Sequence, residues 1–110
     1  MSKTEEKIAM YTEDIKSRGD SVNADLLAAC TKACGPSIFN KDASTVAGSD
    51  QSELDTVKNS FLKGKLGLGD GDDLDGAIAM VIEKFGSSNP SKHRAVFYYY
   101  LCEHYGKTPA

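Results

Sequence analysis

The sequence predicts an all-α fold: a compact single-domain bundle of about five main helices, covering residues 1–110, with an apolar C-terminal helix at its centre. Two observations lead to this prediction. Apolar residues recur at helical spacing in successive segments, and capping residues, glycine or proline bound each segment. The length and the composition, 40% hydrophobic and 26% charged, are ordinary for a domain that builds its own core.

The first helix is expected from about Thr4 to Arg18. Ser2 and Glu5 have the spacing of a capping box, and Gly19 supplies the stop. The apolar face of this helix consists of Ile8, Tyr11 and Ile15. This three-to-four-residue periodicity indicates that the helix is amphipathic and covers one side of the core.

The second helix should begin after a cap, Ser21 or Asn23, and end at Gly35-Pro36. Its apolar face consists of Leu26, Leu27, Cys30 and Cys34. Residues 37–49 carry weaker signals, which allow a sixth, short helical turn near residues 43–47.

A third helix is predicted after Asp50, whose spacing to Glu53 is an N-terminal signature, and it should fade at Gly64 or Gly67. A loop rich in glycine and aspartate then leads to a fourth helix, which Gly86 closes. The two apolar stripes are Leu54, Val57, Phe61 and Leu62 in the third helix, and Leu74, Ala77, Ile78, Val81, Ile82 and Phe85 in the fourth.

The last helix contains KHRAVFYYYLCEHYG, residues 92–106, whose β-forming residues would also suit a buried strand. A cap at Asn89, Pro90 at the first helical position and stops at Gly106 and Pro109 favour a helix instead. Because apolar residues cover most of its circumference, we expect this helix at the centre of the molecule.

The three consecutive tyrosines of the last helix are interpreted first as core residues. The alternative is a self-association surface on which Tyr99, or the pair Tyr100 and His104, is exposed, since aromatic residues are favoured at interfaces. A base-stacking platform is disfavoured, because only Lys92 and Arg94 adjoin the run and such platforms lie in basic grooves.

Two near-matches to ligand-binding motifs fail on their spacing. In an EF-hand register with Gly76 at the sixth position, GDGDDLDG places Gly71 and Ile82 where two essential ligands belong. Gly64-Lys65 lacks the preceding glycine and the following hydroxyl residue of a P-loop. The aspartates at 70, 72, 73 and 75 are therefore interpreted as charges that favour the N-terminus of the fourth helix.

The three cysteines do not form the even set of a secreted disulfide framework, and they favour a cytoplasmic protein. Cys30 and Cys34 lie one helical turn apart and are expected in the core. The alternative is half of a zinc or redox site, with Cys102 and His104 as distant partners. We predict no cofactor and no catalytic residues: GPSIF lacks the second glycine of a nucleophile elbow, and no other catalytic constellation is found.

The most suggestive polar feature is a set of basic residues in two segments, TVKNSFLKGKLG and SKHRAVF. If the segments meet, they would form a positive patch able to hold an anionic group or an acidic partner. The residues concerned are Lys58, Lys63, Lys65, Lys92 and Arg94. The net charge of −3 and the pI near 5.3 nevertheless argue against nucleic acid as a partner, and no apolar run reaches the roughly 20 residues of a membrane span.

Four sequence blocks carry a family resemblance: GPSIFN (35–40), ELDTVKNSFLKGKLGL (53–68), LDGAIAMVIEKFG (74–86) and HRAVFYYYLCEHYG (93–106). As an ordered set they resemble a small bacterial family of soluble, single-domain proteins, the domain of unknown function family 2853. The resemblance implies a one-domain bacterial protein, and it supplies no functional residues.

The function predicted from these observations is a non-enzymatic protein–protein interaction module, with a homodimer as one form of it. This prediction depends on the surplus of apolar surface on the last helix and on the lack of a catalytic constellation. Two alternatives stay open: contact with an anion or nucleic acid through the basic residues, and a small-molecule or metal site near the cysteine pair.

Overall fold

The helices are seen in a computed structural model, which describes residues 3–40, 43–48, 50–86, 89 and 92–109. The α-helices of these residues are α1 (Lys3–Ser17), α2 (Ala24–Cys34), α3 (Gln51–Thr56), α4 (Leu74–Phe85) and α5 (Arg94–Tyr105). Short 3-10 helices span Gly35–Phe39 and Asp70–Asp72, and a π-helix, Val57–Lys63, continues α3. The prediction of an all-α fold is confirmed.

Helix α5 is the central element, as predicted. It packs against α1, α2 and α4, and every residue from Arg94 to Cys102 is buried. The radius of gyration, 12.8 Å, is close to the about 13 Å expected of a compact chain of this length. In the parts of the chain that the structure describes, none of the helices combines the length and apolar character needed to cross a bilayer.

Several predicted helix ends are confirmed by their capping contacts. The Asn23 side chain accepts a hydrogen bond from the backbone N–H of Leu26 at 3.2 Å, so Asn23 caps α2. Asp50 caps α3 in the same way. Gly106 ends α5 in a left-handed conformation, with φ of 65°. The predicted Ser2 cap lies outside the described residues.

Two predictions are wrong for one reason: the helical turn near residues 43–47 and the start of the last helix at Pro90. Thr45 and His93 form an isolated antiparallel bridge, flanked by hydrogen bonds from Val46 N to Lys92 O at 2.8 Å and from Arg94 N to Ser44 O at 2.7 Å. These bonds hold both segments extended. The structure therefore has no helical turn at 43–47, and α5 begins at Arg94 rather than at Pro90, which lies outside the described residues.

The third helix is not α-helical along its predicted length, because it widens into the π-helix after Thr56. Bonds between residues five positions apart bring residues four and five apart onto one face. Val57, Phe61 and Leu62 are all buried on this face. The Phe61 ring stacks on Tyr98 of α5 with ring centres 3.8 Å apart, which places the π-helix directly on the central helix.

Candidate functional site

The tyrosines of α5 lie in the core, as the first interpretation of them predicts. Tyr98, Tyr99 and Tyr100 expose at most 6% of their surface. The Tyr99 hydroxyl accepts a hydrogen bond from Asn23 N at 2.9 Å and donates to Ser21 O at 3.4 Å. The expected exposure of Tyr99 or of the Tyr100 ring is therefore wrong, since both rings are buried, whereas His104 is exposed and self-association stays a prediction.

The predicted basic patch is not assembled, because two of its members are buried. Arg94 is 8% exposed: it forms an ion pair with Glu53 and donates to Ala43 O at 2.7 Å. Lys92 is 4% exposed, and its Nζ donates to Asn89 O at 2.5 Å. Because both cationic groups are buried and already contact acceptors inside the protein, they are not available to an external anion.

The other three lysines of the predicted patch have different surroundings. Lys58 Nζ lies 3.2 Å from Asp75 Oδ1, and Lys63 is half-buried. Lys65 is exposed and lines a cleft of about 300 Å³ together with Lys32. Lys65 thus shares a surface cleft with Lys32 and not with the basic residues of the α5 segment.

The cysteines divide between two environments. Cys30 and Cys102 are buried, with their sulfur atoms 3.6 Å apart, whereas Cys34 is half-buried. The hydrogen bond to Cys102 and burial raise the pKa of the Cys30 thiol, and burial raises the pKa of Cys34 to about 12. His104, the fourth residue of the predicted metal site, is exposed on α5. Nowhere among the described residues do three or more His, Cys, Asp or Glu side chains converge as metal ligands would.

A cleft of about 690 Å³ lies where the connection between α1 and α2 meets the C-terminal halves of α4 and α5. Its size falls in the range of small-ligand and peptide sites. The lining comprises Asp20 and Ser21 from the connection, Met80, Glu83 and Lys84 from α4, and Tyr100, Glu103 and His104 from α5.

A hydrogen-bond network fixes the inner wall of this cleft. The Tyr100 hydroxyl accepts from Arg18 Nε at 2.9 Å and donates to Asp20 Oδ2 at 3.3 Å. Arg18 is itself held by Asp14. Burial raises the pKa of the Tyr100 phenol, although Arg18 opposes the shift, so this group acts as a neutral donor. The Asp20 carboxylate is therefore held in place before any ligand arrives.

A positive charge already occupies part of this wall. Lys84 Nζ lies 3.3 Å from Asp20 Oδ2 and 4.9 Å from the centre of the Tyr100 ring. A carboxylate beside an aromatic face is a favourable position for an ammonium or guanidinium group. The Lys84–Asp20 pair shows that an ammonium group fits this wall, and it also neutralises the charge of Asp20.

A second cleft, of about 470 Å³, adjoins the first at Glu103, which lines both. Its other lining residues are Asn23, Asp25, Leu26, Cys102, Gly106, Lys107 and Thr108. We call the two clefts together the acidic groove, because four carboxylates (residues 20, 25, 83 and 103) line it against two lysines (residues 84 and 107).

The backbone adds to the negative character of the acidic groove. Glu83 and Lys84 belong to the last turn of α4, and Glu103 and His104 belong to the last turn of α5. The C-terminal end of a helix carries partial negative charge, which attracts cations. Carboxylates and helix ends therefore act together at one surface.

The sequence analysis missed most of this site. Of the groove residues, Tyr100 and His104 were predicted as partner contacts and Cys102 as a distant member of a metal or redox site, but none of the carboxylates was predicted. The missed carboxylates come from the α1–α2 connection, α2, α4 and α5, and only the packing of α2 and α4 on α5 places them along one groove. One signal was available: residues 100, 103 and 104 are spaced so that they share a helix face, beside a buried stripe.

Comparison with known families adds one finding. A family model described as "Protein of unknown function (DUF2853)" matches residues 10–109. The chain belongs to this family. The resemblance of the four sequence blocks is thereby confirmed for the DUF2853 chain, and the match runs from the second half of α1 past the end of α5. A comparison with curated proteins found no match.

Proposed function

We propose that the DUF2853 chain is a non-enzymatic interaction module and that its acidic groove receives a basic segment of a partner protein. The observation that carries the proposal is that four carboxylates and the C-terminal ends of α4 and α5 line two clefts that adjoin at Glu103. Free thiols support a cytoplasmic setting for this role.

Charge complementarity favours a basic partner over an acidic one. Lysine and arginine side chains of a ligand would meet Glu83 and Glu103, both exposed, and would be attracted by two helix ends. An acidic segment would face the same carboxylates and be repelled. The groove therefore discriminates by the sign of charge.

An apolar contact would complete the recognition. Met80 is 38% exposed on the α4 side of the groove, which is high for a large apolar residue. Methionine adapts its shape to different apolar surfaces and is favoured at binding sites. We therefore expect the bound segment to carry an apolar residue beside its positive charges.

A fluorescence anisotropy titration at low ionic strength tests the proposal. The probe is a fluorescein-labelled peptide that alternates lysine or arginine with leucine, and the reference peptide has glutamate in place of each basic residue. We expect saturable binding of the basic peptide only. Replacing Glu83→Lys together with Glu103→Lys should weaken it about tenfold or more, since charge reversals at close range act strongly.

The matched control is Glu6→Lys with Glu13→Lys, which makes the same change of net charge on the exposed face of α1. This variant should bind within about twofold of the wild type if the groove, rather than overall charge, attracts the peptide. Equal loss in both variants would overturn the proposal. So would a dimer, seen by light scattering, that only the groove variant dissociates, because a second copy would then be the occupant.

A further inference from the structure

The two sulfur atoms of the cysteine pair between α2 and α5 are in direct contact. Cys30 Sγ donates to Cys102 Sγ across 3.6 Å, and 72 positions of sequence separate the two residues. A disulfide bond is about 2 Å long, so small side-chain rotations and a slight approach of the two helices would close the gap. The pair lies on two elements that pack directly against each other.

We propose that Cys30 and Cys102 form an oxidative modification site, at which a hydroperoxide converts the two thiols into a disulfide that joins α2 to α5. This inference is independent of the proposed binding function, because it uses the sulfur atoms and not the charges of the acidic groove.

Access to the site favours Cys102 as the first thiol to react. Cys102 has no exposed surface, but it lies behind the wall of the 470 Å³ cleft and near the C-terminal end of α5, where its carbonyl accepts a hydrogen bond from Lys107 N at 3.1 Å. Helix ends open locally at low cost in free energy. Opening of this last turn would admit a molecule as small as hydrogen peroxide while the rest of α5 stays packed.

The reaction balances in two steps. The Cys102 thiolate attacks one peroxide oxygen and the O–O bond breaks; Cys102 becomes a sulfenic acid and hydroxide leaves, taking the thiol proton as water. The Cys30 sulfur then attacks the sulfenic sulfur, the S–O bond breaks, and a second water leaves with the Cys30 proton. Two thiols are oxidised to one disulfide, and the peroxide is reduced to two molecules of water.

The surroundings set the rate of this chemistry. Both thiols are buried, so peroxide reaches Cys102 only when the helix end opens, and the raised pKa of Cys30 keeps the second thiol protonated when it has to attack. We therefore expect slow oxidation that requires sustained exposure to peroxide, unlike the fast turnover of a peroxidase.

Mass spectrometry of the full chain tests the inference. The Cys34→Ser variant removes the third thiol and keeps the pair. After treatment with hydrogen peroxide and alkylation in denaturant, its mass should fall by about 2 Da with no alkyl group added, and a reductant should reverse the change. Proteolytic peptides containing Cys30 and Cys102 should be linked to each other.

Two controls make the test decisive. Cys30→Ser leaves Cys102 without its partner, so we expect a gain of about 16 or 32 Da at Cys102 instead of the loss. Wild-type protein should show the same Cys30–Cys102 link, which covers the case in which a variant fails to fold. Two alkylatable thiols remaining in Cys34→Ser after prolonged treatment would overturn the inference. A link in the wild type that joins Cys34 to either residue would do so as well.

Discussion

Two buried tyrosines differ in what their hydroxyl groups contact. The Tyr11 hydroxyl is buried and has no hydrogen-bond partner among the described residues, whereas the Tyr99 hydroxyl bonds to the backbone of the α1–α2 connection. Burial, and to a lesser degree Cys34, raise the pKa of Tyr11 to about 12, which agrees with a hydroxyl kept away from water. Because an unpaired buried hydroxyl costs free energy, removing it should help the fold.

We therefore expect opposite effects from one atom removed at each position. Tyr11→Phe should raise the free energy of unfolding by up to about 1 kcal/mol, and Tyr99→Phe should lower it by about 1 kcal/mol. Urea denaturation followed by circular dichroism measures both, and each variant is the control for the other. A loss of stability in Tyr11→Phe as large as that in Tyr99→Phe would show that the Tyr11 hydroxyl is paired.

Burial of single residues was predictable where helical spacing decides it, and unpredictable where a distant partner decides it. The tyrosines of α5 were assigned to the core because apolar neighbours surround the helix on most sides. Arg94 was assigned to a surface patch. It is buried instead, because Glu53 pairs with its charge and the carbonyl of Ala43 accepts a hydrogen bond from it. The sequence around Arg94 does not indicate partners that lie more than 40 residues away.

At the scale of the elements, the end of the π-helix depends on a glycine. A Cβ atom added to Gly64 would stand 2.5 Å from the backbone oxygen of Ser60, and backbone cannot move aside as a flexible side chain can. Gly64→Ala should therefore lower the free energy of unfolding by about 1–3 kcal/mol, although alanine ordinarily stabilises helices.

The control for Gly64 is Gly69→Ala. Gly69 has an extended backbone, and a Cβ there would meet no atom within 4 Å, so this variant should change stability by less than about 0.5 kcal/mol. Chemical denaturation of both proteins under one set of conditions gives the comparison. Wild-type stability in Gly64→Ala would mean that the π-helix tightens to accept the methyl group.

Elements were predicted well where local capping chemistry sets their ends. Asn23, Asp50 and Gly106 bound helices because each satisfies nearby backbone groups, which depends only on neighbouring sequence. The start of α5 and the 43–47 segment were mispredicted because the Thr45–His93 bridge forms only when distant segments meet. The π-helix was missed for the same kind of reason, since the Phe61–Tyr98 stack is a tertiary contact.

At the scale of the whole molecule, the acidic groove lay beyond sequence reasoning although the fold did not. Helical periodicity was enough to predict α5 at the centre, because burial of apolar faces determines the architecture. The groove depends instead on how the loop at Asp20 and the ends of α4 and α5 are placed relative to each other. That placement comes from side-chain packing and from the Arg18–Tyr100–Asp20 network. In this network Tyr100 is some 80 positions away from its two partners.

The stability of the whole molecule should depend on pH through His93, which packs against the Tyr11 ring with ring centres 5.3 Å apart. Burial lowers the pKa of His93 below its ordinary value of 6.5; Lys7 and Arg18 act in the same direction, and Asp14 opposes them. The unfolded chain consequently binds the proton more readily than the folded one. The stability that the neutral His93 side chain contributes is therefore present above pH 6.5 and is lost as the pH falls below it.

Urea denaturation of the wild type at pH 7.5 and at pH 5.5 should therefore show lower stability at the acidic pH, a range chosen to lie above the ordinary pKa of about 4 for carboxylates. His93→Gln should reduce this difference, because the titrating group is gone. His104→Gln should keep it, since the His104 side chain is exposed at the acidic groove and does not contact the Tyr11 ring. The opposite result, in which His104→Gln removes the pH dependence of stability and His93→Gln does not, would contradict this prediction. Proton binding at the acidic groove, and not burial of His93 against α1, would then couple pH to folding.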